Sequence, residues 1–149
     1  MHGRRTGVAT ERGQVVVTGG ATAGFAALVG SLVSPGEEVL LVAPYWPLIA
    51  GSVRAFGATP VDVPIMTDAE SAEEAVARLE QHRSDKTVAV YWNTPHNPTG
   101  RLLPREWLEA MSQWATKHDL WIFSDDVYED YVYEGEHAYT RSISPDNSL

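Results

Sequence analysis

The spacing of apolar residues changes period several times along the chain, and each change marks an expected element. The β-branched run at 14–18, "QVVVT", predicts a strand, and 21–33 follows with Phe25, Leu28, Val29 and Leu32 at helical spacing. "SPGEE" closes that helix, and 38–43, "EVLLVA", predicts the next strand. A helix over about 47–56 leads to a short strand at 59–63. Ser71 with Glu74 forms a capping-box pattern for a helix reaching about His82. The continuous apolar run at 87–92 predicts a strand buried on both faces. Pro104 suits the first turn of a helix whose buried side carries Trp107, Leu108, Met111, Trp114 and Ala115. A further strand is expected at 120–124. Strands separated by helices of this length form βαβ units, so the predicted fold class is α/β: three layers, α/β/α, around a mostly parallel sheet. No internal repeat, linker or low-complexity run interrupts the pattern.

Ligands of such sheets bind beyond the carboxyl ends of the strands. Here those ends read "TGGAT" (18–22), "APYWP" (43–47), "NTPHNPTG" (93–100) and "SDDVY" (124–128). Each is polar or aromatic and rich in glycine or proline where a plain connection needs no such specialisation. The first is a strand–glycine turn–helix junction, the usual cradle for a phosphate, because the helix N-terminus offers free N–H donors and a positive dipole end.

The common nucleotide formulas do not fit that turn. A short-chain dehydrogenase needs glycines at Ala23 and Phe25, and a Lys four residues after a Tyr. The residues four beyond Tyr91, Tyr128 and Tyr131 are Pro95, Val132 and Gly135. A Walker loop needs Gly-Lys, and Gly24 is followed by Phe25; strict GxGxxG is absent. Composition narrows the field further. A net charge of −9 argues against nucleic acid as a partner, and the lack of cysteine removes disulfides, thiolate metal sites and a cysteine nucleophile. No apolar run approaches a membrane span, so no membrane partner is expected and the cytoplasm is the default location. No His, Asp and Glu cluster has metal-site spacing.

Taken together, the four strand ends resemble the aminotransferase class I/II family of pyridoxal-phosphate enzymes, with the aspartate-aminotransferase-like fold. The resemblance runs from about Val15 to Tyr133, and "NPTG" after a buried strand, followed one strand later by "SDDVY", is its most specific part. It implies a role for each motif residue. Asp125 matches the carboxylate that pairs with the protonated pyridine nitrogen. Asn97 and Tyr128 match the groups that hydrogen-bond the cofactor's phenolic oxygen. Trp46 matches the aromatic stacked on the ring, preferred over Tyr45 because it directly precedes Pro47. Gly20, Ala21 and Thr22 match the phosphate turn. Asp126 stands where many relatives carry Glu, in a supporting position, and His96 reads as a turn residue. Cis bonds at Ala43–Pro44 and Asn97–Pro98 are also implied.

The family's catalytic Schiff-base lysine lies downstream of the "SDxxY" motif, in a Ser-Lys context. The only lysines here are Lys86, in a polar turn, and Lys117, at a helix end, and neither has that context. The resemblance therefore implies an incomplete cofactor-binding large domain over 1–149, without the N-terminal arm, the lysine segment or the C-terminal small domain. A sheet lacking strands has an open edge, so the isolated chain is expected to be marginal or aggregation-prone and inactive. The implied activity of a complete protein is transfer of an amino group between an amino acid and a 2-oxo acid, in a homodimer. A cofactor-binding sensor domain, a lyase of the same fold and a decayed gene are the alternatives.

Overall fold

The structure, a computed structural model, describes residues 2–149. A short helix α1 (His2–Thr6) and a single 3₁₀ turn (Arg12–Gln14) precede the first long helix, α2 (Ala21–Leu32). Strands and helices then alternate: β1 (Glu38–Ala43), α3 (Leu48–Ala55), β2 (Thr59–Pro64), α4 (Ala72–His82), β3 (Thr87–Asn93), α5 (Arg105–Lys117), β4 (Trp121–Asp125) and α6 (Thr140–Ile143). The four strands form one sheet in the order β2-β1-β3-β4, and every pairing is parallel. The predicted α/β class and parallel sheet are what is observed.

Alternation along each strand sends its apolar residues to two separate cores. Val39, Leu41, Ala89, Tyr91 and Phe123 face α2 and α3, where they meet Phe25, Val29, Ile49, Ala50 and Val53. Leu40, Val42, Val90, Trp92 and Ile122 face the other way, against Leu79 of α4 and Trp107, Leu108, Met111 and Trp114 of α5. The five α5 positions expected inside are all buried. Edge strand β2 carries Pro60 and Pro64, which cannot donate to a further strand and so blunt that edge.

Element boundaries fall within a residue or two of those predicted, with one exception. The valine run does not form a strand: Val15, Val16 and Val17 stand 55%, 81% and 93% exposed. A strand needs a free edge to pair with, and propensity alone does not supply one. The outer edge of β4 is instead taken by the 147–149 segment, whose Leu149 N donates to Ile122 O at 2.9 Å and whose Leu149 O accepts from Ser124 N at 3.0 Å.

The caps differ in detail from expectation. Ser71 Oγ accepts from Glu74 N at 3.2 Å, as a capping box requires. The Glu74 carboxylate, however, accepts from Glu70 N, one residue before the cap. Pro104 sits just outside α5 as its N-cap, with its carbonyl accepting from Trp107 N and Leu108 N.

Because β1 connects through α3 and β3 through α5, the chain leaves these adjacent strands toward opposite faces. A crevice opens between their carboxyl ends.

Candidate cofactor site

All seven sequence-predicted residues line one cavity at that crevice. Gly20, Ala21, Thr22, Trp46, Asn97, Asp125 and Tyr128 surround a space of about 300 Å³, together with Gly19, Ile49, Tyr91, Asn93 and Val127. They come from four separate stretches of chain, and only the sheet brings them together.

At one end of the cavity stands the N-terminus of α2. Gly20 caps it with φ 97° and ψ 169°, a conformation essentially restricted to glycine, and a Cβ built there would meet open space. Thr18 Oγ1 donates to Gly20 O at 3.0 Å and Gly24 N donates to the same carbonyl at 3.1 Å, which shapes the turn. The amides ahead of Gly24 have no carbonyl partner one turn back. The first turn of α2 carries no acidic side chain, so dipole and donors both favour an anion.

At the other end lies Asp125, the last residue of β4. Its Oδ1 accepts from Val127 N at 3.1 Å and its Oδ2 from the Tyr91 hydroxyl at 2.9 Å. Burial pushes its carboxyl above the usual range, against the pull of those two hydrogen bonds, and neighbouring Asp126 pushes the same way. No Arg, Lys or His forms an ion pair with it among the described residues. A half-buried carboxylate without a cation is a place where a protonated ring nitrogen would be stabilised.

Between the two ends sit the amide of Asn97 and the hydroxyl of Tyr128, 3.4 Å apart, close enough for one ligand oxygen to meet both. Asn93, which sequence reasoning did not single out, ties the Asn97 turn to the end of β4. Its Nδ2 donates to Asp125 O at 2.7 Å and its Oδ1 accepts from Asn97 N at 2.8 Å. Ala43–Pro44 and Asn97–Pro98 are both cis, as expected, and Thr94–Pro95 is cis as well.

Trp46 borders the cavity and is 51% exposed. Tyr45 points elsewhere. Its hydroxyl donates to the Asp62 carboxylate beside a separate hollow, and burial together with that bond pushes the phenol up to about 12. Of the two neighbouring aromatics, Trp46 lines this cavity and Tyr45 lines the other hollow.

His96 is buried and bridges two loops, as a turn residue. Its Nε2 faces Pro44 O at 2.7 Å and its Nδ1 faces Thr99 Oγ1 at 2.8 Å. A carbonyl can only accept, so the proton sits on Nε2 and Nδ1 accepts from the Thr99 hydroxyl. Burial lowers the His96 pKa and keeps the ring neutral.

Neither lysine reaches the cavity. Lys86 precedes the amino end of β3, and Lys117 closes α5 ahead of the amino end of β4, so both lie at the opposite end of the strands from the cavity. Among the described residues no cluster of His, Asp or Glu could hold a metal ion, and no helix is long and apolar enough to cross a membrane.

An open parallel sheet thus gathers at its switch point a helix N-terminus free of acidic side chains, a carboxylate with no ion-pair partner among the described residues, and two neighbouring hydrogen-bonding side chains, all lining one cavity. Residues 1–146 match the family model for aminotransferase class I and II, and the chain belongs to that family. It is 37% identical over 145 residues to the arginine–pyruvate transaminase AruH of Pseudomonas aeruginosa, across 95% of this chain and 36% of that protein. Among solved structures it resembles Thermus thermophilus aspartate aminotransferase with maleate (TM-score 0.88, 32% identity, 98% of this chain and 38% of that one). It also resembles N-succinyldiaminopimelate aminotransferase from Mycobacterium tuberculosis (TM-score 0.90, 33% identity, 99% and 39%). The chain thus spans little more than a third of the length of these proteins.

Proposed function

We propose that these 149 residues form the cofactor-binding part of a pyridoxal-phosphate-dependent aminotransferase, which moves an amino group between an amino acid and a 2-oxo acid. The observation that carries this reading is the convergence of all seven motif residues on one cavity. In it the Gly20, Ala21 and Thr22 turn holds the phosphate by backbone N–H groups and the Thr22 hydroxyl. Trp46 lies against the ring, whose flat cationic face suits an indole. Asn97 and Tyr128 would donate to the phenolic oxygen, and the Asp125 carboxylate would accept a hydrogen bond from the protonated ring nitrogen. The residues present fit the group, because its phosphate, phenolic oxygen and ring nitrogen would each meet a feature of opposite character. Once bound, the cofactor supplies an electron-withdrawing ring that stabilises negative charge on the substrate's α-carbon.

The chain's own contribution is to bind, orient and keep the ring nitrogen charged. Turnover also requires a primary amine beside the ring, which Lys86 and Lys117 do not supply from the amino ends of the strands. The 149 residues by themselves are therefore expected to bind the cofactor and not to transaminate. The working enzyme is proposed to be a homodimer. Exposed Trp46 and Tyr131 (51% and 63%), in the segments that carry the motif residues, support a covering surface there.

Calorimetric titration with pyridoxine 5′-phosphate tests the reading, since this ligand keeps the phosphate, phenol and ring nitrogen but has no aldehyde to condense with lysine. Saturable one-to-one binding that is weakened by Asp125→Asn supports it. Absence of binding refutes it, and steady conversion of an amino acid and a 2-oxo acid by this chain would refute the expectation of inactivity.

A further inference from the structure

Tyr91 occupies the penultimate inward position of β3, two residues before Asn93. In the β3–β4 register Tyr91 lies opposite Phe123 and Asn93 opposite Asp125. The side chain is 2% exposed, and its ring meets Phe25 edge-on with centroids 5.0 Å apart. Packing thus leaves the ring one orientation, with its hydroxyl 2.9 Å from Asp125 Oδ2. The other carboxylate oxygen is held by Val127 N at 3.1 Å, so both torsions of the Asp125 side chain are defined by partners within the protein. A carboxylate has about four lone-pair sites, and the two left over are available to the cavity.

We propose that Tyr91 is a positioning residue for the cofactor's ring nitrogen: its hydroxyl aims the Asp125 carboxylate into the cavity and keeps it ionised there. The inference rests on the reading of Asp125 as the partner of a protonated pyridine ring.

The electrostatics around Asp125 agree with the geometry. Burial is the largest influence and favours the neutral acid; the Tyr91 hydroxyl and the Val127 amide oppose it, and Asp126 adds to it. Tyr128, in the loop beyond β4, is the other titratable side chain lining the cavity. Helix α2, packed over the site, contributes none: its sequence is "ATAGFAALVGSL". Without the phenol, one backbone N–H would stand alone against burial and Asp126. Asp125 would then hold its proton to a higher pH, and a neutral acid forgoes the ionic part of the bond to a pyridinium. The dependence runs both ways: the Tyr91 hydroxyl is itself raised, by burial and then by the Asp125 charge, so it remains a donor throughout the working range.

Tyr91→Phe tests this, because it keeps the ring and its contact with Phe25 and removes only the hydroxyl. Three readings are made on the full chain: the Asp125 carboxyl titration by carbon-13 NMR without ligand, the affinity for pyridoxine 5′-phosphate, and the affinity for benzyl phosphate, which has a ring and a phosphate but no ring nitrogen. The inference predicts an upward shift of the Asp125 midpoint, about 5-fold weaker pyridoxine 5′-phosphate binding, because a misaimed or protonated carboxylate forgoes part of its charge-assisted bond to the ring nitrogen, and unchanged benzyl phosphate binding. In an Asp125→Asn background, Tyr91→Phe should weaken pyridoxine 5′-phosphate binding less than twofold further, since its route of action is gone. An unmoved Asp125 midpoint, or equal losses for both ligands, would overturn the inference and mark Tyr91 as packing alone. If the unsubstituted chain binds neither ligand, the reading of the site fails and the inference with it. Binding by the unsubstituted chain that Tyr91→Phe leaves unaltered sinks the inference only.

Discussion

Asp125→Asn separates what the site does from what the fold needs. The asparagine amide has the same shape, and both existing hydrogen bonds survive the exchange. Oδ1 still accepts from Val127 N, and the new Nδ2 donates to the Tyr91 oxygen where the carboxylate had accepted. The charge is lost, and the Tyr91 hydroxyl changes from donor to acceptor, its hydrogen turning to the open cavity. A hydrogen bond to a charged group contributes about 1.5–3 kcal/mol, so affinity for pyridoxine 5′-phosphate should fall roughly 10- to 150-fold. Stability should move the other way. Burial raises the carboxyl's pKa in the folded chain, so between the ordinary Asp value and the raised one the folded state binds more protons than the unfolded. In that window the wild type loses stability as pH rises, and above it the loss is complete. The asparagine variant, which does not titrate, should therefore be at least as stable as wild type at neutral pH. Calorimetric titration with the ligand, paired with thermal melts of both chains from pH 3 to 8, reads the two effects. A variant that binds as tightly as wild type, or one that melts well below it at pH 7, would refute the reasoning.

Other substitutions probe other parts of the account. Gly20→Ala places a Cβ at φ 97°, which costs about 1–3 kcal/mol of backbone strain; melting temperature should fall and pyridoxine 5′-phosphate affinity should drop at least tenfold, whereas unaltered values would show the turn to be uninvolved. Thr140 Oγ1 accepts from Trp92 Nε1 at 3.0 Å and from Ser124 Oγ at 2.9 Å within the α4–α5 side of the molecule. Thr140→Val orphans a buried indole N–H and should cost about 1–3 kcal/mol in chemical denaturation; a loss below a few tenths would show the N–H finding another partner. His96 has a lowered pKa in the folded chain, so stability is full above the ordinary His value near 6.5 and declines as pH falls from there through the lowered one. His96→Gln should flatten that part of the melting curve against pH, and an undiminished slope would assign it to other groups.

Much of this was legible in the sequence because the informative residues sit next to one another in it. "NTPHNPTG" and "SDDVY" each carry their spacing in the chain itself, and the βαβ pattern then dictates that they meet beyond the strand ends. Asn93 and Tyr91 were missed for a different reason. Asn93 lies inside the first motif, and Tyr91 shares its face by the two-residue period of a strand, yet what makes them matter is the register that sets Asn93 opposite Asp125. Register belongs to the pairing of two strands and cannot be read from either alone. The valine run shows the converse. Its side chains are strong strand formers, but 147–149 occupies the β4 edge, and 15–17 remains unpaired and exposed. Local propensity does not tell which segment wins the edge.

The central claim is that one cavity at the strand ends holds a phosphorylated pyridine. It is tested most directly by mapping amide and indole NMR shifts of the chain during titration with pyridoxine 5′-phosphate. The account predicts saturable changes at Gly19–Thr22, the Trp46 indole, Asn97 and 125–128, with the amino ends of the strands around Lys86 and Lys117 unmoved. Changes centred elsewhere, or none at saturating ligand, would contradict it.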